Sequence, residues 1–223
     1  MKYFYAAATM GFDSNGYWWH RYFNFPKFQT VTKTVTLDKK IGYPFAIIHL
    51  YNSIWNHVGL HNKGIVYWLN KQYNPNTILS IAGTDSKVQV ICDLLEEVEL
   101  AGIELNFSCP NVEHFANKRI PISRHKLQLK LNCYQDPYQF DLSKIERISL
   151  NSIPGFAGGL SGKLAQKKNW NFIKKFRREG LPIAGCSITR AEDIKKLEDL
   201  GCNEVALGSI LLTNPWLVQN LRR

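Results

Sequence analysis

The sequence predicts an α/β chain and, within that class, a (β/α)8 barrel of TIM type. Three observations carry this. Eight short apolar or β-branched runs recur along the chain, at residues 3–8, 30–35, 77–81, 103–107, 127–131, 148–150, 182–185 and 204–207. Several are apolar at nearly every position, which suits parallel strands buried on both faces. Helix-period patterns lie between most of them, and strand alternating with helix is the mark of α/β architecture. The length, 223 residues, falls between the floor of about 200 and the usual size of about 250 for such a barrel. A doubly wound open sheet is the runner-up. Its GxGxxG turn is missing after the first strand, where Ala6-Ala7-Ala8-Thr9-Met10-Gly11 stands. A single domain over 1–223 is expected.

The elements follow in order. The apolar start Tyr3-Phe4-Tyr5-Ala6-Ala7-Ala8 is short and soon broken by Gly11 and Asp13, so it reads as a strand rather than a signal peptide. The second run ends at Lys33. Residues 86–100 carry Val88, Val90, Ile91, Leu94, Leu95 and Val98 at helical spacing. The segment 111–126 is too short for a full helix and reads as a loop with one helical turn. Residues 169–179 place Trp170, Ile173 and Phe176 on one helix face. Residues 189–200 begin with an N-cap Thr189, have Glu192 three residues on, and end before Gly201. Asn214-Pro215 opens a last helix, with Pro in its first turn.

Composition narrows the class. Phe, Trp and Tyr make up 13% of the chain, too much for a solvated disordered segment. No run approaches the roughly 18 uncharged apolar residues of a membrane span. The five cysteines, Cys92, Cys109, Cys133, Cys186 and Cys202, include no CxxC pair. Zinc ribbons and iron–sulfur clusters within the chain are therefore not expected, and reduced thiols in the cytoplasm are. The six histidines show no metal-ligand spacing, so no metal is expected. The net charge of +10 suits nucleic acid, an anionic membrane surface or small anions, and equally a solvated lysine-rich surface.

A barrel keeps its site at the C-terminal ends of the strands. Polar residues interrupt the apolar runs there: Lys33, then Asn106, Ser108 and Cys109, then Lys130 and Asn132, then Asn151 and Ser152, then Ser187, and finally Gly208 and Ser209. Asparagine offers donors and acceptors together. Several on one face suit a flat, amide-rich ring such as a pyrimidine.

The string Ile103-Glu104-Leu105-Asn106-Phe107-Ser108-Cys109-Pro110-Asn111 resembles the signature of dihydroorotate dehydrogenases, in the cysteine-base, soluble class 1 form. Other stretches are similar to that family in the same order. They are Lys33-Thr34-Val35-Thr36-Leu37 running on to Gly42-Tyr43-Pro44, Asn56-His57-Val58-Gly59-Leu60-His61-Asn62, Ser80-Ile81-Ala82-Gly83, Lys130, Asn151-Ser152, Gly158-Gly159-Leu160-Ser161-Gly162, and Ala206-Leu207-Gly208-Ser209. The resemblance implies an FMN-dependent barrel that oxidises dihydroorotate to orotate in pyrimidine biosynthesis. Cys109 would take the proton from C5 while the hydride of C6 passes to N5 of FMN. Asn56, Asn106, Asn111, Asn151 and Ser152 would hold the pyrimidine amides and carboxylate. Ala7, Ala8, Lys33, Thr34 and Lys130 would border the flavin. Its phosphate would rest on Gly158-Gly159, Cys186-Ser187 and Gly208-Ser209, in a Gly-rich loop and two turns. A Lys ammonium near N1 favours the negative charge of reduced flavin. The membrane-bound branch carries Ser in place of the Cys, so Cys109 points to the soluble branch. That branch has a fumarate-using form and a form paired with an iron–sulfur flavoprotein. The resemblance is compatible with a homodimer.

This chain also departs from the family pattern. Trimmed termini, without the family's N-terminal extension and C-terminal tail, are expected, and the segment after Asn111 is short. The family's Gly-Gly after the seventh strand reads Cys186-Ser187, and its Ala-Ala-Gly near the first strand reads Ala6-Ala7-Ala8. A non-catalytic barrel that binds a pyrimidine or a protein partner is one alternative. A tRNA dihydrouridine synthase is another, since those are also flavin barrels with a reactive Cys. They carry Gly-Cys-Pro after the fourth strand, where this chain has Ser-Cys-Pro-Asn, and add a helical RNA-binding domain, which is not expected here. The basic residues Lys167, Lys168, Lys174, Lys175, Arg177 and Arg178, within 163–179, read as a solvated outer face, and nucleic acid is not the expected partner.

Overall fold

The computed structural model describes residues 1–11, 16–43, 46–71, 74–108, 119–155 and 158–221. In chain order the strands are β1 (Lys2–Tyr5), β2 (Gln29–Val31), β3 (Ile47–His49), β4 (Ser53–Asn56), β5 (Thr77–Ile81), β6 (Gly102–Asn106), β7 (Leu127–Leu131), β8 (Ile145–Leu150), β9 (Ile153–Gly155), β10 (Gly158–Gly162) and β11 (Glu204–Leu207). The helices are α1 (Ile65–Leu69), α2 (Asp85–Leu94), α3 (Lys163–Arg178), α4 (Glu192–Asp199), α5 (Ile210–Thr213) and α6 (Pro215–Gln219).

Seven strands form a parallel sheet in the order β11-β1-β2-β5-β6-β7-β8. Residues 183–185 complete the ring as the seventh strand in chain order. Ile183 bridges Ile148 of β8, and Gly185 bridges Val205 of β11. Four backbone bonds secure this seam: Ile148 N to Pro182 O, Ala184 N to Ile148 O, Gly185 N to Glu204 O and Ala206 N to Gly185 O, each of 2.8–2.9 Å. The result is the expected eight-stranded parallel α/β barrel.

The strands alternate between two buried faces. On β7 the residues Leu127, Leu129 and Leu131 take part in the hydrophobic core, while Gln128 and Lys130 between them are buried polar residues. The same holds for Ile103 and Leu105 against Glu104 and Asn106, and for Ile148 and Leu150 against Arg147 and Ser149. Period-2 geometry sends the two sets to opposite faces. The apolar set belongs to the same core as Val88 and Ile91 of α2, Phe172, Ile173 and Phe176 of α3, and Leu197 of α4. The polar set lines the interior. At its floor Arg147 of β8 donates to Gln128 Oε1 of β7 (2.7 Å) and Glu204 Oε2 of β11 (2.9 Å), and its guanidinium lies 3.7 Å from the ring centre of Phe4 on β1. One side chain of β8 reaching three other strands can do so only across the inside of the barrel.

The helices depart from strict alternation. After β1 comes a 3-10 turn, Trp18–Tyr22. After β7 come two more, Pro137–Gln139 and Leu142–Lys144, capped by Asp136 and Asp141. α2 stops at Leu94, short of the predicted 100. α3 starts at Lys163, six residues before the predicted 169, because Ser53 Oγ caps Leu164 N (3.0 Å) and Ala165 and Gln166 are buried. A second sheet, antiparallel in the order β3-β4-β10-β9, was not anticipated. It corrects the reading of residues 158–162 as a loop, for they form β10 between β4 and β9.

Candidate active site

Three of the polar residues that interrupt the strand ends, Asn106, Ser108 and Asn151, are joined to Thr34 by hydrogen bonds at the C-terminal mouth. Asn151, just beyond β8, donates through Nδ2 to Ser108 Oγ (2.7 Å). Ser108 Oγ donates to Asn106 Oδ1 (2.6 Å), and its backbone N–H reaches the same oxygen (3.1 Å). Asn106 Nδ2 donates to Thr34 Oγ1 (2.8 Å), which lies 2.9 Å from Ser80 Oγ. Ser80 Oγ donates to Glu104 Oε1 (2.9 Å). The Ser80 proton is thereby committed, so the Thr34 hydroxyl must be the donor in the Thr34–Ser80 contact. The whole chain of bonds therefore runs one way, from Asn151 down to the carboxylate. Asn106, Ser108, Thr34 and Ser80 are all buried, and they satisfy one another as buried polar groups must.

Glu104 and Lys130 form the next tier. Glu104 is 1% exposed. Its Oε2 accepts from Ser149 Oγ (3.0 Å), and its Oε1 lies 3.5 Å from Lys130 Nζ. Register places Lys130 beside Asn106 on one flank and Ser149 on the other. Lys33 donates to Gly59 O (3.1 Å), which ties the loop after β4 to the mouth.

A second group lies at the ends of β8, the seventh strand and β1. Ser187 has φ +59° and Ala8 φ +66°, left-handed conformations that favour glycine. These are two of the positions at which the family pattern has Gly and this chain does not. Ser187 is held by Asn169 Nδ2 to its Oγ (3.0 Å) and Gln166 Nε2 to its carbonyl (3.1 Å). Ala8 is held by its N–H to Val31 O (3.2 Å) and by Tyr17 OH on its carbonyl (2.9 Å). The Cys186 carbonyl accepts from the Trp170 indole (2.8 Å). Burial pushes the Cys186 thiol up to about 12, so it is a neutral wall residue at pH 7. Across the barrel seam of β1 and β11, Gly208 packs against Ala6, Ala7 follows Ala6 in the chain, and Ser209 opens α5.

Gly158 and Gly159 are required by strand packing. A Cβ on Gly159 would lie 2.2 Å from Ser152 Oγ, and one on Gly158 2.5 Å from Asn56 O. Asn56 Nδ2 donates to Gly159 O (3.3 Å). Asn56, Ser152 and Gly159 thus form their own cluster on the small sheet, joined to the mouth network through the chain link of Asn151 to Ser152. Cys109 and Asn111 lie outside the described residues.

Sequence reading did not single out Glu104, Ser149, Asn169 or Asp193 for a role. A lone carboxylate inside the apolar run Ile103-Glu104-Leu105 is the signal that could have found the first. Asn169 and Asp193 belong to outer helices and turn back toward the mouth, which no local pattern records. Among the described residues no group of three or more His, Cys, Asp or Glu could hold a metal ion. No helix among them is long and apolar enough to cross a membrane.

No family model matches the chain. Curated relatives do. The catalytic subunit of dihydroorotate dehydrogenase B (NAD(+)) from Listeria monocytogenes is 26% identical over 97% of this chain and 85% of the relative. The subunit of the same name from Desulforamulus reducens is 24% identical over 86% of this chain and 78% of its own length. The one from Bacteroides thetaiotaomicron reaches 32% identity, over 37% of this chain.

Proposed function

The chain is a distant relative of the dihydroorotate dehydrogenases, and on that premise we propose that it is an FMN-dependent oxidoreductase converting dihydroorotate to orotate. The observation that carries this reading is the one-way hydrogen-bond chain through Thr34, Asn106, Ser108 and Asn151. It brings the Asn106 and Asn151 amides together just beneath the mouth of the barrel, with the Lys130 ammonium beside Asn106. That donor set fits the two ligands: amide groups for a pyrimidine and for the flavin ring, and cations for a reduced, anionic flavin. When bound, FMN would supply the two-electron acceptor. Lys33 and Lys130 would border its ring, with Thr34 and the strained turn at Ala7-Ala8 beside them. Cys186-Ser187 and Gly208-Ser209 would take its phosphate end, whereas Gly158-Gly159, packed against Asn56 and Ser152 in β10, would lie beside the pyrimidine.

The chain's own residues would then do three things. Asn106, Asn151 and Ser152, with Asn56 and Asn111, would orient the pyrimidine. The Cys109 thiolate would remove the proton from C5 as the C6–H bonding pair leaves as hydride for the cofactor, and the C5–H pair becomes the ring double bond. A thiol with an ordinary pKa near 8.5 can serve once its surroundings lower that value. The name of the relatives favours NAD+ as terminal acceptor, reached through a partner iron–sulfur flavoprotein, over fumarate, with this chain as a single FMN-binding domain in the cytoplasm.

The test is the visible spectrum. Purified protein, or protein reconstituted with FMN, should show flavin absorbance that bleaches when dihydroorotate is added without oxygen. A colourless chain that cannot take up FMN overturns the reading and leaves a non-catalytic barrel.

A further inference from the structure

Glu104 has no part in the chemistry above, yet the mouth network ends on it. Its two oxygens receive Ser80 and Ser149, and Lys130 lies within ion-pair distance. These partners come from β5, β8 and β7, so the carboxylate joins four adjacent strands on the inside of the barrel. A buried ion pair is weak evidence for stability, because apolar residues of similar size often serve as well or better. An electrostatic role therefore needs to be considered for this one.

We propose that Glu104 is a positioning residue that sets the polarity of the site. An acceptor-only anion at the bottom of the chain forces Ser80 to donate downward. Thr34 must then donate to Ser80, and Asn106 must present its NH2 to Thr34. Asn106 Oδ1 is left to accept from Ser108, and Ser108 accepts from Asn151 Nδ2. The last link fixes the amide of Asn151 with its Oδ1 available, a pattern that selects a ligand N–H at that position and rejects a bare carbonyl. The same carboxylate balances the Lys130 ammonium, so the pair presents a dipole rather than a full positive charge to whatever binds above it. The inference rests on the flavin and pyrimidine reading.

Glu104→Gln tests it, because the amide keeps the size but can donate and carries no charge. With FMN bound, orotate should dissociate at least tenfold more readily from this variant. Its flavin should bind about tenfold more tightly when reduced than when oxidised, relative to the parent, which for a two-electron couple is a positive shift of about 30 mV. Glu104→Asp, which keeps the charge, should return the potential toward that of the parent. If Glu104→Gln does not fold, Ser149→Ala serves instead. It removes one donor from the carboxylate and should move the potential in the negative direction. A variant with parent-like orotate affinity and parent-like potential, altered only in melting temperature, overturns the assignment. A parent chain that binds no FMN overturns it together with the function above, so the two failures are told apart by the parent alone.

Discussion

Cys109 and Lys130 are the residues on which the proposed chemistry turns. Cys109→Ala should retain FMN and orotate, because the asparagines remain. Its flavin should be reduced by dihydroorotate more slowly by a factor on the order of 10²–10⁴, the usual contribution of a positioned base. Cys109→Ser should keep some activity with its optimum at higher pH, since an alcohol is a far weaker acid than a thiol. Stopped-flow reduction over a pH series measures both, and parent-rate reduction by the Ala variant would leave a merely structural cysteine. Lys130 reads from sequence as a strand-end residue facing the mouth and outside the core, which predicts weaker flavin retention or slower flavin reduction without loss of fold. Its partner changes that expectation. Lys130→Ala should weaken FMN retention and also destabilise the fold by about 3–5 kcal/mol, because Glu104 is left as an unpaired buried charge. Adding Glu104→Gln should recover much of the stability and none of the flavin retention. Urea melts and FMN titration of the single and double variants measure this.

The turns that join the elements carry the next expectations. Ala8 stands at φ +66°, which costs a non-glycine residue roughly 1–2 kcal/mol. Glycine relieves that strain at an entropic cost of about 0.5–1 kcal/mol, so Ala8→Gly should raise the melting temperature slightly. A fall would mean that the Ala8 methyl makes a contact worth more than the strain. The loop after the seventh strand depends on Asp193. Burial alone would raise the pKa of this carboxyl, but donors from Thr189, Gln166 and Arg190 outweigh it and hold the group below its ordinary value. The folded pKa is depressed, so the stabilisation is full above the unfolded value near 3.9 and is lost as pH falls through the folded value. Asp193→Asn should therefore lower stability at pH 7 and flatten the acid limb, as read from urea midpoints between pH 2 and 6. An unchanged acid limb would show that Asp193 is not linked to folding. Element boundaries were legible where apolar residues mark them, as in β5, β6 and β7. They were not legible in β10, where a glycine run without strand propensity is made into a strand by pairing with β4 and β9.

At the scale of the whole molecule, the eight parallel segments were readable because each carries apolar residues on the face that meets the outer layer. The inside of the barrel was harder to read. The alternation Leu127-Gln128-Leu129-Lys130-Leu131 has the form of a strand half exposed to water, yet all five residues are buried. The polar half faces other strands across the axis, and only closure of the ring supplies its partners. The same reason explains which site residues could be anticipated. Asn106, Asn151 and Thr34 interrupt runs at strand ends and are visible as interruptions. Glu104 and Ser149 lie one tier deeper, where their significance depends on which strands become neighbours.

Those interior tiers have an electrical consequence. Among the described residues, Arg147 is paired with Glu204 and Lys130 with Glu104, so these two pairs contribute no net charge. The chain's excess of ten positive charges is then carried by its other groups, and a net charge of that sign attracts anions at long range. Such a field governs how often a carboxylate-bearing ligand arrives more than how long it stays. The association rate of orotate should fall steeply between about 0.01 and 0.15 M salt, as the Debye length shrinks from roughly 30 Å to 8 Å, while its dissociation rate changes little. Rapid-mixing measurements across that range would reveal a dissociation-dominated response if the charge acted at the mouth itself.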